Sequence, residues 1–164
     1  MGYAMASNIR KKMPSSSTLF VNDINPSACE RFKAEFGSFG PVEIVSTARE
    51  AVENSKFLVS IVPGAVDVKK VYLDEDTGVI ASKADPERIM CECSTIDVKS
   101  TREVGEKLQE RGSGTYVDTP VSVSNHLCVM YIPLMNRTGW CSSGGARRSF
   151  DAHWTPRAIF RQPK

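Results

Sequence analysis

Four short segments that contain carboxylate, hydroxyl or glycine groups follow apolar runs of the sequence, and these groups could bind a nucleotide. They are Asn22-Asp23, Pro63-Gly64, Ser94-Thr95 and Asp118-Thr119-Pro120. A glycine, Gly2, also opens the first helical pattern, where its small size would let a helix start lie close to a strand or a phosphate group. Each segment alone is equally typical of a turn or a helix cap, and only their combination indicates a nucleotide site.

The acid Asp23 lies 21 residues after Gly2. A dinucleotide-binding fold places at about this spacing the carboxylate that hydrogen-bonds the ribose of adenosine. An acid there favours NAD, because it would repel the 2′-phosphate of NADP. A second interpretation stays open, in which Asp23 caps a strand-to-helix turn. The nucleotide fingerprint needs three glycines, and only the last of them, Gly2, is present.

The elements that would position these groups alternate between helix and strand. Apolar runs predict short strands at residues 18–21, 42–45, 57–62, 88–93 and 116–118. Helical spacing and cap residues predict helices at residues 2–13, 26–36, 47–54, 65–72 and 98–111, and the predicted caps are Asn25, Thr47 and Asp97. Strands separated by helices indicate parallel βαβ units, and therefore an α/β fold with a doubly wound parallel sheet. Ligands of such sheets bind at the carboxyl ends of the strands, where the polar segments lie.

The composition divides the chain at residue 122. The 164 residues suffice for one ordinary domain, and no apolar run is long enough to span a membrane. Residues 1–122 carry 15 Lys and Arg against 18 Asp and Glu, whereas residues 123–164 carry 6 against 1. We therefore predict one domain over residues 1–122 and a disordered, unrelated tail over residues 123–164.

The five cysteines show no closely spaced framework, which indicates reduced thiols and an intracellular protein. The cytoplasm and the mitochondrion both stay open, because a targeting segment would precede Met1. The tail residues that resemble zinc ligands match no known finger spacing, so we expect no metal site; they are His126, Cys128, Cys141 and His153. The basic tail is interpreted as solvated, and we expect neither nucleic acid nor membrane as a partner.

The opening Met1-Gly2-Tyr3-Ala4-Met5-Ala6-Ser7-Asn8-Ile9 resembles the end of the GxGxMGxxMAxNL motif of the β-hydroxyacid dehydrogenases. This family includes 3-hydroxyisobutyrate dehydrogenase, with 6-phosphogluconate dehydrogenase as a more distant relative. Four further segments resemble family motifs in the same order: Val21-Asn22-Asp23, Val59-Ser60-Ile61-Val62-Pro63, Cys93-Ser94-Thr95-Ile96 and Asp118-Thr119-Pro120-Val121-Ser122. The resemblance covers residues 1–122.

This resemblance implies a Rossmann-like NAD(P)-binding domain, with NAD the expected cofactor and NADP the less favoured one. Its cofactor-binding residues would be Gly2, Met5, Asp23, Pro63 and Thr95. Ser122 would contact the carboxylate of a small 3-hydroxy acid. The implied reaction is hydride transfer from the hydroxyl-bearing carbon of that acid to the nicotinamide.

The sequence departs from the family in three ways. The first strand and its Gly-x-Gly loop are missing, and in the strand order 3-2-1-4-5-6 that strand is central. Val123 and Ser124 stand where the family has two glycines, so a backbone clamp for the substrate is not expected. The family's catalytic lysine belongs to a second domain that this sequence does not contain.

These departures predict that the chain folds poorly and is inactive alone, with no catalytic residue of its own. Strands without a central neighbour would leave backbone groups unpaired, each at a cost of about 1–3 kcal/mol. An alternative hypothesis is a non-catalytic product of a truncated or wrongly predicted gene, with weak or no nucleotide binding.

Overall fold

The computed structural model describes residues 1–124 and 127–130, with side chains for residues 1–121. Five helices lie in this part of the chain: α1 (Gly2–Lys12), α2 (Pro26–Phe36), α3 (Ala48–Glu53), α4 (Ala65–Leu73) and α5 (Val98–Glu110). The strands are β1 (Leu19–Val21), β2 (Val42–Ile44), β3 (Phe57–Ser60), β4 (Ile89–Glu92), β5 (Thr115–Asp118), β6 (Val121–Ser124) and β7 (Leu127–Met130). The predicted helices and the five predicted strands are confirmed, with ends that differ by one or two residues.

The helix starts are fixed by the side chains that the sequence analysis identified as caps. Asn25 Oδ1 accepts a hydrogen bond from Ser27 N at 3.1 Å, and Thr47 Oγ1 accepts one from Glu50 N at 3.0 Å. The carboxylate of Glu50 reaches back to the N–H of Ser46, one residue before the cap, at 2.8 Å. Such contacts satisfy the N–H groups that have no partner inside the helix.

Two separate parallel sheets make up the doubly wound part of the fold. β1 pairs with β2, and β3, β4 and β5 pair in that order. Within the described residues no strand precedes α1 and no ladder joins β1 to β3. The two sheets therefore carry the strand order of a dinucleotide-binding fold with the first strand left out, as the sequence analysis predicted.

Helices α3, α4 and α5 cover one face of the three-stranded sheet. The core there contains seven buried residues: Val52, Val68, Tyr72, Val79, Met90, Val104 and Leu108. On the opposite face, Phe57 and Val59 of β3 are 42% and 41% exposed. This face of β3 is therefore only partly covered, although an apolar run of this kind is typical of a central parallel strand that is buried on both faces.

Helices α1 and α2 pack around the two-stranded sheet. The side chain of Arg10 in α1 connects three segments of this part of the fold. Its side chain is fully buried. The guanidinium donates to the carbonyl oxygens of Ser17 at 2.6 Å and of Pro14 at 2.7 Å, and to that of Pro41 at 3.2 Å. Arg10 thus holds the loop after α1 against the start of β2.

Strands β6 and β7 form an antiparallel pair after the parallel sheets. No strand was expected after residue 118, so this pair differs from the sequence-based prediction, and it includes the first residues of the predicted disordered tail. The rest of that tail lies outside the described residues. Among the helices within residues 1–124 and 127–130, none is long and apolar enough to cross a membrane.

Candidate functional site

The first helix begins against the end of β3. A Cβ atom added at Gly2 would lie 3.0 Å from Ile61 Cγ2, closer than ordinary van der Waals contact. No side chain caps α1 at its N-terminus, where Met1 precedes the first helical residue. The structure therefore places a glycine and uncapped helical N–H groups near the carboxyl end of a parallel strand. Positive charge from the helix dipole and free N–H groups suit a phosphate there.

The predicted cofactor residue Met5 lies in the same helix, one turn after Met1. Its backbone N–H donates to Met1 O at 3.2 Å, and its side chain is half-buried. Met5 therefore lies within the first two turns of α1, and its contact with a cofactor stays a prediction.

The acid Asp23 is exposed in the turn that leaves β1. Its Oδ1 accepts a hydrogen bond from Asn25 N at 2.8 Å, so Asp23 shapes the turn that leads into α2. Next to it, Asn22 Nδ2 donates to Val45 O at 2.8 Å and joins the ends of β1 and β2. The turn uses only Oδ1, so both interpretations of Asp23, as a cap and as a ribose contact, are compatible with this geometry.

The segments that leave β3 and β4 are joined to each other. Val62 N donates to Ser94 Oγ at 2.8 Å, and Cys93 N donates to Ser60 O at 2.8 Å. The exposed residues Pro63 and Thr95 each follow directly after this link. The structure therefore brings these two predicted cofactor residues to the same sheet edge as Gly2.

A buried carboxylate lies directly beneath this edge. Glu92, the last residue of β4, is fully buried, and its Oε1 accepts from Ser94 N at 2.7 Å. Its Oε2 accepts from the hydroxyl of Ser60, the last residue of β3. The Ser60 hydroxyl lies 2.6 Å from the Tyr72 hydroxyl of α4. Burial raises the pKa of Tyr72 well above its ordinary value, and the nearby charge of Glu92 raises it further.

The end of β5 completes the edge. Thr119 is buried, and its hydroxyl donates to the carbonyl oxygen of Glu92 at 3.1 Å. Burial raises the pKa of the Asp118 carboxyl. Ser122, the predicted substrate contact, has its backbone in β6 opposite Val129, and its side chain lies outside the described residues.

Three members of this edge were not predicted from the sequence: Ser60, Tyr72 and Glu92. A signal for Glu92 was present, because a glutamate within the apolar run Ile89-Met90-Cys91-Glu92-Cys93 has to be buried with hydrogen-bond partners. The partners themselves were not predictable, since Ser60 lies 32 residues away in sequence.

Within the described residues, no group of three or more potential metal ligands is placed to hold a metal ion. Of the four tail residues that the sequence analysis considered as zinc ligands, only the backbone of Cys128 is described.

Residues 1–127 match the family described as the NAD binding domain of 6-phosphogluconate dehydrogenase. Two curated relatives come from Pseudomonas aeruginosa. The chain is 34% identical to an NAD-dependent L-serine dehydrogenase and 30% identical to a 3-hydroxyisobutyrate dehydrogenase, each over 122 residues. Each match covers 74% of this chain and 37% of the relative, so the chain spans little more than a third of their length.

A solved structure of Psf3 in complex with NADP⁺ and 2-OPP has the same fold. Its TM-score is 0.61 at 19% identity, and the match covers 75% of this chain and 40% of that one. This likeness supports the Rossmann-like α/β assignment.

Proposed function

This chain belongs to the family of the NAD binding domain of 6-phosphogluconate dehydrogenase, and we propose that residues 1–122 bind NAD as the nucleotide-binding part of a 3-hydroxyacid dehydrogenase. The observation that carries the proposal is the packing of Gly2 against Ile61. It places an uncapped helix N-terminus beside the strand ends that carry the other predicted cofactor residues.

In this proposal the pyrophosphate lies at the N-terminus of α1, near Gly2 and Met5. Backbone N–H groups and the helix dipole stabilise its negative charge, and the absence of a side chain at Gly2 permits the close approach. The adenosine ribose lies at Asp23, whose carboxylate accepts hydrogen bonds from the ribose hydroxyls. The nicotinamide half follows Pro63 and Thr95 along the sheet edge.

NAD is proposed rather than NADP because of Asp23. The carboxylate is exposed at the end of β1 and would repel a 2′-phosphate. The curated relative described as NAD-dependent agrees with this choice, whereas the Psf3 complex contains NADP⁺.

The proposed substrate class is a small 3-hydroxy acid, with Ser122 contacting its carboxylate. When bound, the nicotinamide supplies the acceptor for the hydride, and the protein's task is to orient it. The relatives named for serine and for 3-hydroxyisobutyrate both act on small hydroxy acids, which supports this class.

We propose that the present chain binds the cofactor weakly and does not turn over substrate alone. No ladder joins β1 to β3 in the described part of the chain, so the loop that would hold the pyrophosphate from the strand side is not formed there. The alternative is a non-catalytic product with no nucleotide binding. A place in the cytoplasm or the mitochondrion is also proposed, since Cys29, Cys91 and Cys93 form no disulfide among the described residues.

Calorimetric titration of the purified chain with NAD and with NADP tests the proposal. Binding of NAD at millimolar concentration, tighter than that of NADP, is the expected result. No heat with either dinucleotide would favour the alternative, and NADH production from 3-hydroxyisobutyrate would contradict the proposed inactivity.

A further inference from the structure

The strand-end network of Glu92, Ser60, Tyr72 and Ser94 has a fixed direction of hydrogen-bond donation. The Ser60 hydroxyl has a single proton, and it donates that proton to Glu92 Oε2. The 2.6 Å contact between Ser60 Oγ and the Tyr72 hydroxyl must therefore be donated by Tyr72. Ser94 N donates to the other carboxylate oxygen. All three contacts thus depend on an acceptor at Glu92.

The carboxylate also controls the neighbouring strand end through Ser94. The backbone of Ser94 is held by Glu92 Oε1 at 2.7 Å, and its hydroxyl oxygen accepts from Val62 N at 2.8 Å. Ser94 is only 3% exposed, so water does not readily replace either contact. Moving Glu92 would therefore release the N–H of Ser94 and, with it, the N–H of Val62.

We infer that Glu92 is a positioning residue that couples the loop after β3 to the loop after β4. This buried side chain then adds to the bond from Cys93 N to Ser60 O in fixing Pro63 relative to Thr95, which are the residues proposed beside the nicotinamide half. The consequence for cofactor binding depends on the proposed function, whereas the coupling of the two loops does not. Buried networks of this kind confer one arrangement when every member is satisfied.

A purely structural role for Glu92 is the competing explanation. In that case its loss would loosen the whole core equally, including α5. The two explanations differ in where the effect appears, because the N–H groups of Val62 and Ser94 are bonded to side chains of the network and not to a strand partner. Their exchange with solvent therefore reports the coupling directly.

The test is residue-resolved amide hydrogen exchange on the full chain, for the natural protein and for Glu92→Gln. Glutamine keeps the size of the side chain, but its amide nitrogen cannot accept from Ser60, and its bond from Ser94 N is weaker than one to a carboxylate. We expect roughly tenfold faster exchange at Ser94 and Val62. The amides of Val104 and Leu108 in α5 should be unchanged.

Three further variants make the result specific. Tyr72→Phe keeps the aromatic ring and removes only the donor to Ser60, so it should have a smaller effect at the same two amides. Ser94→Ala should speed exchange at Val62 and leave Ser94 protected. Glu106→Gln, an exposed substitution of the same chemical type in α5, is the matched control and should change neither amide.

Unchanged exchange at Val62 and Ser94 in Glu92→Gln would overturn the inference, as would equal acceleration throughout α5. If Glu92→Gln does not fold, Tyr72→Phe decides by the same two amides. The dissociation constant for NAD is the second readout; it should rise about tenfold in Glu92→Gln and stay unchanged in Glu106→Gln. A natural chain without NAD affinity would refute the proposed function, and the exchange rates would still decide the coupling.

Discussion

Gly2 lies so close to Ile61 that a Cβ atom on the glycine would stand 3.0 Å from Ile61 Cγ2. The contact joins the first turn of α1 to the residue that follows β3, and the two residues are 59 positions apart along the chain. It explains why a helix that carries no side-chain cap begins with a glycine. Any larger residue would move the helix start away from the sheet edge.

Because of this contact, we expect Gly2→Ala to lower the free energy of unfolding, and we expect the size of this loss to depend on the side chain of Ile61. Overpacking of a close contact costs about 1–3 kcal/mol, which exceeds the gain of about 1 kcal/mol that alanine brings within a helix. Truncation at Ile61 should relieve the clash, so Gly2→Ala combined with Ile61→Ala should cost less than the sum of the two single changes. Urea unfolding of the four proteins measures this coupling.

Gly37 provides the matched control, because a Cβ there would meet nothing within 4 Å and its φ of −61° suits any residue. Gly37→Ala should change stability by less than about 0.5 kcal/mol. Additive losses for Gly2→Ala and Ile61→Ala would show that the close contact does not exist.

We expect the Asp23 carboxylate to set the preference of the chain for NAD over NADP. Asp23→Asn keeps an acceptor for the N–H of Asn25, so the turn into α2 should persist. Removal of the charge should lower the affinity for NAD roughly tenfold and reduce the preference for NAD over NADP. Calorimetric titration of both dinucleotides checks this, with the exposed Asp76→Asn as the control. An unchanged ratio of the two affinities would assign Asp23 to the turn alone.

We expect substitution of Arg10 to lower the stability of the fold at a position outside the proposed cofactor site. Its buried guanidinium donates to the carbonyl oxygens of Pro14, Ser17 and Pro41. Arg10→Ala would leave these acceptors unpaired, and we expect a loss on the order of 3 kcal/mol. Lysine should not restore it, because an ammonium group lacks the planar fork of donors.

The exposed Lys12→Ala, in the same helical turn, serves as the control for Arg10 and should be close to neutral. Denaturant midpoints measure the three variants. A free energy of unfolding for Arg10→Ala within about 0.5 kcal/mol of that of the natural protein would mean that the hydrogen bonds of Arg10 do not hold the loop after α1.

We expect the stability of the fold to depend on pH through the ionisation of Asp97. The N–H of Ser100 donates to its carboxylate at 2.9 Å, and this bond lowers the pKa of Asp97 in the folded state. The carboxylate therefore stabilises the fold above the ordinary aspartate pKa, and the contribution is lost as the pH falls through the lowered value. Asp97→Asn should be less stable than the natural protein near neutral pH, and this difference in stability should become smaller in acid. Urea midpoints of both proteins from neutral to acid pH measure the difference. A difference that does not change with pH would contradict the role of the Asp97 carboxylate.

Local signals in the sequence were sufficient to predict most of the helices, the strands and the helix caps. Asn25, Thr47 and Asp97 each accept an N–H of the following helix turn, as their cap positions predicted. Capping depends on residues within one turn, so the sequence contains all of the relevant information. The order of strands and helices followed in the same way from apolar runs and their breaks.

The contacts that were not predicted join residues that are distant in sequence. The burial of Arg10 was not predicted, because one of its acceptors, Pro41 O, lies 31 residues away in sequence. The partners of Glu92 likewise depend on the pairing of β3 with β4, which places Ser60 opposite it. The exposure of Phe57 and Val59 depends on the elements that surround β3, which an apolar run does not specify.

We infer that β1 and β3 flank an open strand position in a dinucleotide-binding fold. Fusion of a short apolar strand and a Gly-x-Gly loop in front of Met1, followed by calorimetry of the two chains, tests this arrangement. We predict that the fused chain unfolds with an enthalpy closer to the usual 0.7 kcal/mol per residue or so and binds NAD at least about tenfold more tightly. Equal unfolding enthalpies and equal NAD affinities for the two chains would contradict the claim.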